Sequence, residues 1–99
     1  MTVKIKSYIG FAIKSGQIVY GVDNILKKKS RLIIYSDQLG ESSAQKLISY
    51  AQKLNLPAIK LNDTYIKELV SEGVKALALT NIDLAKATLE ALKTEGINW

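Results

Sequence analysis

The sequence contains no cysteine and no histidine. The first absence excludes disulfides, thiolate nucleophiles and zinc sites built on cysteine. The second removes the commonest general base and metal ligand near neutral pH. Proline, tryptophan, phenylalanine and methionine occur once each, so no proline-rich linker is available. Long hydrophobic runs are also missing. The longest buried-looking runs, Leu32–Tyr35 and Ala76–Leu79, are strand-sized and far below a membrane span. The apolar stretch from Tyr8 to Ile13 is cut by Lys14, too early for the apolar region of a signal peptide, and no small-residue cleavage site follows. These absences predict a cytoplasmic chain with no membrane partner.

What is present suits one ordered domain, residues 1–99. Hydrophobic residues make up 47% and charged residues 23%, a balance that supports a packed core. Fourteen Lys and Arg stand against nine Asp and Glu, for a net charge of +5. Such a bias favours an anionic partner, nucleic acid first, although simple solubility would also account for it.

Hydrophobic periodicity gives the elements. Ile5, Tyr8, Ile9, Ala12 and Ile13 recur at the three-four spacing of a helix, which Gly16 stops after Lys14. Gln17–Tyr20 reads as a short strand, Gly21 as a turn, and Val22 to Lys29 as a short helix with Asp23 and Asn24 in its first turn. Arg31 to Ser36 is nearly all apolar and predicts a strand buried on both faces. Ser42 with Gln45 reads as a capping box for a helix to about Leu54, with Ala44, Leu47, Ile48 and Ala51 as its buried stripe. Pro57 ends the chain's helical stretch before a strand at Ala58–Leu61. Asn62 or Asp63 caps a helix from Thr64 to about Ser71, closed by Gly73. Ala76–Leu79 is a fourth strand, and Thr80 with Asp83 reads as a second capping box, opening a helix to about Thr94 that Gly96 ends. The tail Ile97–Trp99 either packs back or hangs free. Helices alternating with strands in this way predict an α/β fold whose sheet lies between helical layers.

The sequence offers little for catalysis. The nine carboxylates are scattered. Glu68 and Glu72 lie four apart on the fourth helix, a spacing that reads as a solvated face rather than an acid–base pair. No serine sits in a Gly-x-Ser-x-Gly elbow, and no histidine exists to activate one. Gly10, Gly16 and Gly21 fit neither common phosphate-binding fingerprint. The five tyrosines spread through every layer and read as core or half-core. No catalytic residue, metal site or cofactor is therefore expected. An enzyme would need a divalent metal held by oxygen ligands alone.

The positive charge is concentrated. Lys14, Lys27, Lys28, Lys29 and Arg31 flank Gly21 to Lys27, a glycine turn opening a helix. Free N–H groups at such a start suit a phosphate. The side chains of Asp23 and Asn24 suit base edges, and the lysines suit the flanking backbone. A solvated helix ending in lysines is the plainer account of the same pattern.

The ordered series Ile13-Lys-Ser-Gly-Gln17, Gly21-x-x-x-x-x-Lys27, Ser30-Arg-Leu-Ile-Ile-Tyr-Ser-Asp37, Ala51-x-x-x-Asn55-Leu-Pro57-Ala and Ala76-Leu-Ala-Leu-Thr-Asn81 resembles the kink-turn RNA-binding ribosomal protein superfamily. The likeness runs from Lys6 to Leu92 and is strongest to the bacterial YlxQ-type members. It implies a three-layer α-β-α sandwich with a four-stranded mixed sheet. It also implies a monomeric, ribosome-associated protein that binds a kinked structured RNA such as a ribosomal RNA element, with ribosomal proteins as neighbours. By position, Gly21 would approach the RNA backbone, Asp23 and Asn24 would meet guanine edges, and Lys27 would meet phosphate. The loop at Glu72 to Lys75, with Val74 and Lys75, would cover an extruded base. The RNA-binding set so expected is Lys14, Gly21, Asp23, Asn24, Lys27, Lys28, Arg31, Val74 and Lys75. Three features depart from the family's pattern. Asp23 stands for the commoner Asn, Asn24 stands for Glu, and Tyr65-Ile-Lys-Glu-Leu-Val-Ser-Glu-Gly73 replaces the family's glycine-rich fourth helix. A domain that kept the fold and turned to protein partners would show the same departures.

Overall fold

A computed structural model describes residues 3–96. Its elements run α1 (Val3–Lys14), β1 (Ile18–Tyr20), α2 (Val22–Lys27), β2 (Leu32–Ser36), α3 (Glu41–Leu54), β3 (Ala58–Leu61), α4 (Asp63–Leu69), β4 (Ala76–Leu79) and α5 (Ile82–Thr94). The strands form a four-stranded sheet in the order β1-β4-β2-β3. β2 pairs parallel with β3 and antiparallel with β4, and β1 pairs antiparallel with β4, so the sheet is mixed.

Alternation along the strands builds the layers. Leu32, Ile34, Leu77 and Leu79 face a core with Ile5 and Ile9 of α1, Ile66 of α4 and Leu92 of α5. Ile33, Tyr35, Ala76 and Ala78 face the opposite core, with Ile25 of α2 and Leu47 of α3. The result is the expected α-β-α sandwich. Every residue of β2 and of β4 is buried, as strands covered on both faces require. Opposite Ile33 and Tyr35, β4 carries Ala78 and Ala76. These small side chains make room for α2, which packs on β1 and β4 with Ile25 as its fully buried anchor. Burying such a side chain contributes roughly 1.5–3 kcal/mol.

Several local expectations are corrected. The Ser42/Gln45 box does not cap α3. Gly40 is the N-cap, without a side-chain bond, and the helix begins at Glu41. Thr80 does not cap α5 either. Its amide donates to the Gln17 carbonyl at 3.1 Å, an extension of the β1–β4 pairing, and Asn81 caps instead by accepting from the Leu84 amide at 2.9 Å. α2 ends at Lys27 rather than Lys29. α4 ends at Leu69, so Glu72 lies outside the helix that carries Glu68 and the two share no helical face. Ile13 and Tyr20 are exposed rather than core. The tail Ile97–Trp99 lies outside the described residues.

Candidate nucleic-acid interface

Gly21 turns the chain from β1 into α2 with φ 86° and ψ 148°, a region open essentially to glycine alone. Its amide donates to the Ala76 carbonyl at 3.0 Å, and its carbonyl accepts from the Ile25 amide at 3.0 Å. The first bond ties the turn to the first residue of β4, next to the loop that precedes it. Tyr20, Gly21, Leu39, Gly73, Val74 and Lys75 accordingly share a shallow hollow of ≈ 330 Å³. Gly21 and the Val74–Lys75 loop, far apart in the chain, are thus brought together.

α2 leads away from this region, and of its residues Val22 lines the hollow. Asp23 and Asn24 are exposed. The Asn24 Nδ2 donates to the Tyr20 carbonyl at 3.0 Å, which leaves its Oδ1 and one N–H for a partner. Lys27, Lys28 and Lys29 are exposed, and Arg31 is half-buried. None of Lys14, Lys27, Lys28, Lys29 and Arg31 has a carboxylate partner among the described residues. Asp23 and Lys27 have the i,i+4 spacing of a helical ion pair, yet they do not meet.

The exit of α2 is held in place. The Lys28 carbonyl accepts from the Tyr50 hydroxyl at 2.9 Å and from the Ser30 hydroxyl at 3.4 Å. Ser30 itself is 3% exposed. The backbone under the lysines is therefore pinned to α3 while their side chains stay in solvent. Tyr50 carries no sequence signal for this role, because its bond spans 22 residues.

Lys14 and Arg31 sit apart from the hollow. They belong to the end of the sheet where Gln17 meets Thr80 and the Arg31 amide donates to Leu79 at 2.8 Å. The length of β4, about 10 Å at 3.3 Å per residue, separates that end from Ala76. The six residues of α2, about 9 Å long, bridge the two ends. The nine expected residues thus form two groups, with Gly21, Asp23, Asn24, Val74 and Lys75 at one end and Lys14 and Arg31 at the other. Lys27 and Lys28 close α2 between them.

Lys75 differs from the other cations. Its Nζ lies 2.8 Å from Asp63 Oδ1, and Lys67 approaches Asp63 Oδ2 at 3.6 Å. The Lys75 contact foremost, then the Ser36 hydroxyl, hold the Asp63 carboxyl below its ordinary pKa, against partial desolvation that raises it. Among the described residues no group of three or more Asp, Glu, His or Cys is placed to hold a metal. No helix of the described residues is long and apolar enough to cross a membrane.

No family model matches the chain, and no curated protein matches it. Among 160 solved chains that do match is a protein of unknown function from Bacillus halodurans, with a TM-score of 0.82 and 15% identity. The match covers 93% of this chain and 99% of that one. At such identity the likeness shows a shared fold, and a fold alone carries no activity.

Proposed function

We propose that this chain is a non-catalytic, cytoplasmic RNA-binding domain that recognises a kinked, structured RNA, such as an element of ribosomal RNA. One observation carries the reading. The glycine-led start of α2 and the Gly73–Lys75 loop share one hollow, and the same helix, about 9 Å long, ends in three exposed lysines that lack carboxylate partners among the described residues. Unpaired cations next to a concave, partly apolar surface suit RNA, whose unstacked bases need a pocket and whose phosphates need charge. Asp23 and Asn24 supply acceptors and a donor for base edges. Lys27 and Lys28 supply phosphate contacts, and Lys14 and Arg31 extend the basic track toward a flanking helix. The resemblance to kink-turn-binding ribosomal proteins supports the same reading.

The test is a titration against a kink-turn RNA and a straight duplex of equal length, each at two salt concentrations. The kinked RNA should bind more tightly. Lys27→Met and Lys28→Met should each reduce the slope of log K against log salt by about one. Equal affinity for the straight duplex rejects kink recognition. No binding to either RNA at low salt, with a protein partner captured after ribonuclease treatment, supports the protein-interaction reading instead.

A further inference from the structure

Asp63 is the centre of a hydrogen-bonded ring that the RNA contacts do not use. Its Oδ1 accepts from Ser36 Oγ at 2.6 Å and from Lys75 Nζ at 2.8 Å. The Ser36 amide donates to the Lys75 carbonyl at 2.8 Å, so Lys75 is gripped by its backbone and by its side chain. Ser36 Oγ also accepts from the Gln38 amide at 2.9 Å, and the Asp63 amide donates to Asp37 Oδ1 at 3.1 Å. Ser36 is the last residue of β2 and is 1% exposed. The Asp63 side chain keeps 14% of its exposure.

This ring stands behind two walls of the hollow. Lys75 ends the loop that carries Gly73 and Val74, and Leu39 is fixed by its amide donating to the Ser36 carbonyl at 3.0 Å. A loop that is already held loses less freedom when a ligand arrives. An ammonium already paired with a partly buried carboxylate must also give up that bond to turn to a phosphate.

We propose that Asp63 is a positioning residue: through Lys75 it fixes the Gly73–Lys75 loop opposite Gly21, and Lys75 serves as an anchor rather than as a phosphate contact. This inference rests on the RNA-binding reading above.

The experiment compares Asp63→Asn, Lys75→Met and their double variant with Lys27→Met. Lys75→Met should lower affinity for kink-turn RNA about tenfold and leave the salt slope and the affinity for straight duplex unchanged. Lys27→Met should change the slope. Asp63→Asn should reproduce Lys75→Met, and the double variant should be no worse than either single change, because both break one ring. A slope that falls by about one in Lys75→Met, or losses that add, overturns the proposal. Amide hydrogen exchange of the protein without RNA separates the two readings. Asp63→Asn should speed exchange at Ser36 while leaving α5 unchanged. Unchanged exchange at Ser36 overturns the latch even if the RNA reading stands. Faster exchange with no RNA binding by the natural chain overturns the RNA reading and, with it, the role given to Asp63.

Discussion

The Gly21 amide donates to the Ala76 carbonyl at 3.0 Å, so one hydrogen bond joins the start of α2 to the first residue of β4. Neither partner can shift without moving the other. The hollow beside this bond is walled by both residues and, across from them, by Leu39 and the Gly73–Lys75 loop.

Gly21→Ala tests the backbone at this junction. A Cβ there would meet nothing within 4 Å, so any cost comes from holding φ near 86° and not from a clash. The expected loss is about 1–3 kcal/mol. It should appear as a lower urea midpoint with an unchanged m-value.

The Thr88 hydroxyl is fully buried and has no hydrogen-bond partner among the described residues. Thr88→Val keeps the shape and removes the unpaired polar group. Stability should rise by about 1 kcal/mol, seen as a Tm increase of roughly 4 °C or more.

Asn81→Ala and Thr80→Ala separate the true cap of α5 from its neighbour. Asn81 Oδ1 accepts from the Leu84 amide, so losing it should cost about 1 kcal/mol. Thr80 enters the sheet through its backbone, so its side chain should be dispensable within ~0.5 kcal/mol. Thermal melts of both variants check the pair.

Tyr65 donates to Glu95 Oε1 at 2.8 Å, and burial first, then this bond, raises its phenol above the ordinary 10.0. Above that pH the unfolded chain gives up the phenolic proton and the folded chain keeps it. The contribution is therefore complete below about pH 10 and is lost as pH climbs. Tyr65→Phe should flatten this alkaline part of the stability profile. The check is denaturant midpoints from pH 8 to 11, compared with the natural chain.

Much of the fold was legible because packing agreed with local pattern. The unbroken apolar runs of β2 and β4 required burial on both faces, and the stripe of α1 required a single buried side. The two capping boxes differ from the structure for different reasons, one local and one distant. Ser42 and Thr80 carry the same local signal as true caps. The chain around Gly40 starts α3 earlier, and Gln17 draws the Thr80 backbone into the sheet, which leaves Asn81 at the helix start. The same physics limited the site. Gly21, Asp23, Asn24 and Lys27 are neighbours in the chain and could be read together. Lys75 looked like another free cation because its two partners are 12 and 39 residues away, and no local pattern reports a contact of that span.

The position of β4 also bears on how the chain reaches its folded state. β4 lies between β1 and β2, yet it is the last strand in sequence, and its partner register joins Ile18 to Leu79. β1 therefore has no strand to pair with until almost the whole chain is present. As a polypeptide grows from its N-terminus, β2 and β3 can zip first with the helix between them, while α1 and β1 wait. Closing the sheet is then a late insertion over a long loop, and its rate should depend on β4 far more than on β1.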